Sequence, residues 1–295
     1  MSVASALLPK AEAVLPSDGL DAVQAMIMDS LRQTSLAPMI EELSGAIGGG
    51  KMLRARLALK VGAATSAPCD TLLRAAAAVE MVHAASLLHD DVIDGGVLRR
   101  GIPSFWKKKS VSGAILLGDL LVCKAVQMLD GIENGRLGGM LVRLAGEMCD
   151  AEAEQELVTG GSATRLGVAS GKAWVTERGA SWEKCVSVAR RKTGSLFAFA
   201  AAATDGSDEK RAEALLEAGY RIGTAYQLAD DILDVRGTAV GDGKNLGQDA
   251  LNGKRTSVSA AGGTDTPARQ HIAQLCADSS QLLVAWPPVQ EAWNE

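Results

Sequence analysis

Residues 71–94 read TLLRAAAAVEMVHAASLLHDDVID and are followed by Gly95-Gly96. Four consecutive alanines, unbranched Leu and Met and no proline make this a strong helix-forming run, and the glycine pair is a stop signal. The helix ends in three carboxylates, Asp90, Asp91 and Asp94, and a second apolar run ends the same way in Asp230-Asp231-Ile232-Leu233-Asp234. In each pentad the first and last aspartates are four apart, which on a helix puts them on one face a turn apart. Like charges there repel, and the negative end of the helix dipole adds to the penalty. Cations remove it. Oxygen-only donors without His or Cys select hard ions, Mg²⁺ before Ca²⁺. Magnesium held by few carboxylates keeps waters and takes phosphate oxygens in its other positions. Neither pentad has the alternating oxygens, central glycine and terminal glutamate of an EF-hand loop. A solvated helix end is the plain reading of one pentad. Two copies, each in an apolar helix (84–88 and 225–229), argue against it.

Helical patterns cover most of the remaining chain: 20–46, 111–130, 138–158, 181–204, 208–235 and a last one at 267–284 before Pro287-Pro288. Between them lie Gly48-Gly49-Gly50, glycines at 160, 161, 167 and 171, the turn Asp205-Gly206-Ser207-Asp208, and a Gly-, Asp- and Lys-rich stretch at 237–256. No period-2 run demands a strand, and there is no solenoid repeat or long linker. A single all-α domain over residues 1–295 is expected.

The composition agrees. Of 295 residues, 47% are hydrophobic, 22% charged and only eight are proline, so a large helical core can form and wholesale disorder is excluded. A net charge of −5 and a pI near 5.4 leave no basic field for nucleic acid. At 3%, aromatics are too sparse for base-stacking platforms. No uninterrupted apolar run reaches the ~20 residues of a membrane span, and no secretory pattern opens the chain. Cys69, Cys123, Cys149, Cys185 and Cys276 are scattered, with no Cys-x-x-Cys pair. Reduced thiols and a cytoplasmic location are expected.

Basic residues surround the pentads. Arg99-Arg100 follow the first within a short Gly-containing loop, and Lys51 and Arg54 follow the triple glycine. Lys192-Thr193 precede Gly194, while Lys244 and Lys254 sit in the stretch after the second pentad. Arg grips phosphate bidentately and Lys supplies a point charge. Singly, each is an ordinary surface cation. With two magnesium-type carboxylate clusters they read as a site for two diphosphates.

These residues resemble the trans-isoprenyl diphosphate synthase (polyprenyl synthetase) family over residues 48–256. The similar elements are Gly49-Gly50-Lys51-Met52-Leu53-Arg54, Glu80-Met81-Val82-His83, Leu88-His89-Asp90-Asp91-Val92-Ile93-Asp94 with Leu98-Arg99-Arg100-Gly101, and Lys192-Thr193-Gly194-Ser195-Leu196-Phe197. Tyr226-Gln227-Leu228-Ala229 leads into the second pentad, and Gly243-Lys244-Asn245-Leu246-Gly247-Gln248-Asp249 and Gly253-Lys254-Arg255-Thr256 follow it. The resemblance implies a bundle of long antiparallel helices around a deep central cavity, of the isoprenoid synthase type I kind, in a homodimer. It implies that Lys51, Arg54, His83 and Arg100 hold the diphosphate of isopentenyl diphosphate. Arg99, Lys192, Thr193, Gln227 and Lys244 would hold or flank an allylic diphosphate, with Lys254 closing over it. Asp90, Asp94 and Asp230 would be inner ligands of about three Mg²⁺, supported by Asp91, Asp231 and Asp234. Asp90, Asp94, Lys192 and Asp230 would form the catalytic set. His89 and His271 are left as structural.

The implied reaction joins isopentenyl diphosphate to the allylic partner head to tail. Ala85 and Ser86 stand where early-stopping members carry bulky aromatics, with Val82 a turn further down, so a product of medium to long chain, C25 or more, is expected. Alternatives are a farnesyl or geranylgeranyl diphosphate synthase, a class I terpene cyclase, or a non-catalytic partner subunit of a heteromeric synthase. A cyclase usually carries an Asn/Ser/Glu-type second motif, and a degenerate subunit loses aspartates or cations; this chain does neither. Three features depart from the pattern: Ala55 where proline is frequent, Ser257-Val258-Ser259 after the last basic element, and a short region after Thr256, ending Trp293-Asn294-Glu295, in which a terminal helix common in the family is expected to be missing.

Overall fold

A computed structural model describes residues 16–48, 50–99, 101–158, 182–236, 257–260 and 263–295. The helices, in chain order, are α1 (Pro16–Arg32), α2 (Ile40–Ile47), α3 (Leu53–Thr65), α4 (Cys69–Ile93), α5 (Phe105–Lys108), α6 (Val111–Met128), α7 (Arg136–Ala153), α8 (Trp182–Ala189), α9 (Ser195–Ala202), α10 (Glu209–Arg236), α11 (Ser257–Ala260), α12 (Thr266–Gln281) and α13 (Pro287–Asn294). A π-turn, Glu154–Val158, continues α7, and a second, Arg190–Gly194, joins α8 to α9. The all-α expectation holds.

The alanine run explains why α4 sits at the centre. Ala75, Ala76, Ala77 and Ala78 are fully buried and present almost no bulk, so α1, α3, α6 and α9 all pack against α4. Larger side chains, among them Leu121, Leu137, Leu141, Leu144 and Phe199, fill the spaces between these helices. Every residue of α9 is buried, the mark of a helix enclosed on all sides. By length and composition alone, α4 and α6 are apolar enough to cross a membrane. In α4 that apolar stretch is 61% buried, as in a core helix; in α6 it is only 28% buried, leaving Val111, Ile115 and Leu116 exposed.

Two features differ from expectation. A small antiparallel hairpin pairs β1 (Leu98–Arg99) with β2 (Ile102–Pro103), Leu98 opposite Pro103 and Arg99 opposite Ile102. Two residues per strand cannot show a period, and Gly101 supplies the positive φ (76°) of its turn. A helix, α13, also follows 284. Its two prolines occupy the first helical turn, where a missing N–H costs nothing. It packs against α3, with Trp286 Nε1 donating to Asp208 Oδ2 at 3.1 Å and Trp293 Nε1 to Ser279 Oγ at 3.1 Å.

Candidate active site

The first pentad forms the last turn of α4, with Asp94 as its C-cap; the Asp94 N–H donates to the Asp90 carbonyl at 2.7 Å. Asp91 is only 7% exposed, and Arg99 clamps it: Nε donates to Oδ2 at 2.7 Å and Nη2 to Oδ1 at 2.8 Å. The hairpin is strapped back onto this helix end as well, because Ser104 Oγ and Trp106 Nε1 both donate to the Gly96 carbonyl, at 2.7 and 2.8 Å.

The second pentad lies near the end of α10. Thr193 Oγ1, in the second π-turn, donates to Gln227 Oε1 at 2.6 Å; Gln227 Nε2 donates to Asp231 Oδ1 at 2.9 Å. The backbone N–H of Ser257 donates to the other oxygen, Oδ2, at 2.9 Å. Burial raises the Asp231 carboxyl above the usual range, the bonds from Ser257 and Gln227 oppose that, and the charge of Asp230 adds to it.

Residues on α7 and its π-turn face the basic run of the second π-turn. Lys192 pairs with Glu152 and reaches Gln155 Oε1 at 3.4 Å. Arg191 pairs with Asp150 at 2.8 Å and with Glu154. The Cys149 thiol is pushed up by burial, then by the charges of Asp90 and Glu152. Lys192 thus meets the acidic run of α7, and its neighbour Thr193 leads through Gln227 to Asp231 of the second pentad. Sequence reading did not single out Glu152 or Gln155. Their signal was the acidic run Asp150–Glu156 facing the basic Arg190-Arg191-Lys192. The π-turns were not legible either; such widened turns concentrate at functional sites because they re-aim side chains.

The residues expected at isopentenyl diphosphate lie on α3 and α4. Arg54 is 8% exposed, its guanidinium 4.8 Å above the Phe197 ring, and its Nε has no hydrogen-bond partner among the described residues. Burial lowers its pKa, and Glu80 and Tyr226 act the other way. Glu80 Oε1 accepts the Ala55 N–H at 2.9 Å; burial raises the Glu80 carboxyl against the opposing pull of Ala55 and Arg54. Ala55 thus provides, at the departed proline position, an N–H that proline lacks. Lys51 is exposed one turn ahead of Arg54, and left-handed Met52 (φ 47°) turns the chain between them. His83 is half-buried on α4. Arg100, Lys244 and Lys254 lie outside the described residues.

Ala85 and Val82 are each 1% exposed within the main core, beside Met81 and Leu121. Ser86 is half-buried, its hydroxyl bonded to the His83 carbonyl at 2.9 Å. His89 Nε2 lies 3.2 Å from the Ile115 carbonyl, tying α4 to α6. His271 meets Trp182 edge-on at 5.7 Å.

Among the described residues, no three or more His, Cys, Asp or Glu side chains form a ready cation cage. The donors are carboxylates at two helix ends. That set fits Mg²⁺, which takes one or two carboxylates and completes its shell with water and phosphate oxygens. It does not fit zinc.

An all-α bundle with paired aspartate clusters near the ends of its two longest helices among the described residues, the second beside a lysine-bearing π-turn, defines a class of metal-dependent helical enzymes acting on diphosphates. The profile of the family Polyprenyl synthetase matches residues 34–281, and the chain belongs to that family. It is a trans-prenyltransferase of the chain-elongating kind. It is 34% identical to geranylfarnesyl diphosphate synthase of Methanosarcina mazei over 72% of this chain and 67% of that protein. Coverage falls to 62% of a second relative from that organism, a geranylgeranyl diphosphate synthase. The geranylgeranyl diphosphate synthase of Rhodobacter capsulatus is 31% identical over 82% of this chain and 80% of its own length. The crystal structure of a Caulobacter crescentus polyprenyl synthase complexed with calcium and isoprenyl diphosphate superposes with a TM-score of 0.76 at 26% identity, covering 94% of this chain and 92% of that one.

Proposed function

We propose that this protein is a Mg²⁺-dependent synthase that condenses isopentenyl diphosphate with an allylic diphosphate, head to tail (1′-4), into a trans-polyprenyl diphosphate of C25 or more. The observation that carries this reading is the pairing of Lys192 with Glu152, beside the Thr193–Gln227–Asp231 hydrogen-bond chain at the second pentad. It sets a lysine one residue from the chain that ends on the second carboxylate cluster. Asp90, Asp94 and Asp230, with Asp234 beside them, would hold the ions. When bound, these supply Lewis acidity toward the diphosphate leaving group. Lys192, with Thr193, Gln227, Lys244 and Lys254, faces the allylic diphosphate and neutralises charge as its C–O bond breaks. Lys51, Arg54, His83 and Arg100 hold isopentenyl diphosphate so that its double bond lies against the allylic carbon. The proton lost afterwards passes to the departing diphosphate, in keeping with the absence of a dedicated base in the sequence pattern.

The length assignment rests on α4, which carries no aromatic residue and presents Ala85, Ser86 and Val82 below the first pentad. A second reading has a specific observation behind it: a Bacillus subtilis relative, 30% identical over 81% of this chain, is named heptaprenyl diphosphate synthase component 2. In that reading this chain works in a two-component assembly.

The deciding experiment incubates the folded protein with labelled isopentenyl diphosphate, farnesyl diphosphate and Mg²⁺, and resolves products by length. An elongated product, lost on EDTA addition and restored by excess Mg²⁺, is expected. No product with any allylic primer would move the assignment to the two-component reading.

The exposed face of α6 gives the homodimer proposal its surface: Leu116 is 67% exposed, flanked by Ile115 and Val111. A second copy is the occupant that lets the same apolar face bury itself. Leu116→Asp is expected to turn a dimer into a monomer in analytical ultracentrifugation. A monomeric unmodified protein at micromolar concentration would remove this surface from the proposal.

A further inference from the structure

A π-turn is a rare geometry for a helix, so whatever holds one in place also governs the side chains it aims. The turn Arg190–Gly194, which carries Lys192 and Thr193, is met at both ends by one residue of α10, Tyr220. At its start the Arg190 guanidinium lies 4.1 Å from the centre of the Tyr220 ring. At its end a Cβ on Gly194 would stand 2.9 Å from the Tyr220 carbonyl oxygen and 3.4 Å from its Cδ1, so the two backbones meet with no side chain between them. Tyr220 is well anchored. It is 7% exposed, its hydroxyl donates to Glu147 on α7, and its carbonyl accepts the Thr224 hydroxyl at 2.7 Å. Burial, then the bond to Glu147 and its charge, push the phenol up to about 12, which keeps it a donor at neutral pH.

Arg190 is fixed from its other side by Glu217, which accepts from Nη2 at 2.6 Å and Nη1 at 3.4 Å and is itself held by Arg221 Nε at 3.0 Å. An ion pair with side chains 39% and 36% exposed stabilises little by itself. Its effect is on direction: a planar guanidinium stacked on a buried ring and gripped by a carboxylate has one orientation. The next two residues then reach the opposite way, to α7, Arg191 to Asp150 and Glu154 and Lys192 to Glu152.

We infer that Arg190 and Tyr220 are positioning residues that clamp the π-turn to α10 and thereby set where the Lys192 ammonium points. A lysine stem is flexible, so the backbone that carries it must supply the aim. What Lys192 does to an allylic diphosphate rests on the synthase reading; the clamp does not.

A double-mutant cycle on the full chain tests this, read by calorimetric binding of inorganic pyrophosphate with Mg²⁺. Arg190→Ala is expected to weaken pyrophosphate about tenfold, and Lys192→Ala at least as much. Because Arg190 acts through Lys192, the variant carrying both changes should bind no more weakly than Lys192→Ala alone. In turnover, Arg190→Ala and Tyr220→Leu should raise KM for the allylic diphosphate and leave KM for isopentenyl diphosphate unchanged, whereas a residue that merely supports the bundle would move both. Tyr220→Phe keeps the ring under Arg190 and should restore most of what Tyr220→Leu loses. Should Arg190→Ala fail to fold, Arg190→Lys takes its place in the cycle, since it keeps a charge over the ring and loses the paired bonds. Additive losses in the cycle, equal rises in both KM values, or undiminished pyrophosphate binding in the Arg190 variant would overturn the inference. An unmodified protein that neither binds pyrophosphate nor makes product would sink the synthase reading instead. Hydrogen–deuterium exchange then decides the clamp: faster exchange over 190–194 in Arg190→Ala, with α4 unchanged, is expected, and unaltered exchange there would overturn it.

Discussion

Replacing Asp90 or Asp230 with alanine is expected to reduce turnover by roughly 10³-fold or more, with the far-UV circular dichroism of the bundle unchanged. Both aspartates are half-buried near helix C-terminal ends, where a negative charge opposes the helix dipole, so removing that charge relieves a repulsion. The loss falls on the reaction. Without these carboxylates the charge developing on the leaving diphosphate must be balanced by Lys and Arg alone. The prediction is checked by steady-state turnover at saturating Mg²⁺, with product length resolved. Full activity in both variants would dismiss the metal assignment of the pentads, whatever the family says.

A different kind of loss is expected at Gly219 and Gly223, where α10 crosses α9. A Cβ at Gly219 would stand 2.5 Å from Ala198 Cα and 2.6 Å from the Phe197 carbonyl oxygen; at Gly223 it would stand 2.6 Å from Gly194 Cα. These are backbone atoms and cannot swing aside. Gly219→Val is therefore expected to cost about 3 kcal/mol of stability, the upper range for overpacking, read as a lower urea midpoint. Gly223→Ala should also depress activity, because it pushes on Gly194, the neighbour of Thr193, and so on the bond between Thr193 and Gln227. Gly139→Ala is the control: nothing lies within 4 Å of its Cβ position, on an exposed stretch of α7, and replacement should gain about 0.5–1 kcal/mol. An unchanged midpoint for Gly219→Val would mean that the crossing opens without penalty.

Much of this was legible beforehand because its causes are local. Helix-forming runs with glycine and proline at their ends mark α4, α6, α7, α10 and α12 within a few residues. The two pentads and the basic residues near them announce their chemistry through type and spacing alone. Glu80 is instructive in this respect. It was quoted as part of a motif, yet its work, receiving the Ala55 N–H beside buried Arg54, depends on α3 lying against α4.

The sequence by itself determined the all-α class, the carboxylate and cation set, and the preference for a hard ion, because each follows from residue identity at short separation. That Lys192 leans on Glu152 and Gln155, that Gly219 and Gly223 are crossing points, and that Asp91 meets Arg99 while Asp231 meets Gln227 and Ser257 were settled by tertiary packing. Those contacts join residues distant along the chain, and their geometry depends on π-turns and helix crossings set by packing the whole core. Adjacent aspartates look alike in one dimension. On a helix about 100° separates them, and what stands opposite each is supplied by another part of the chain.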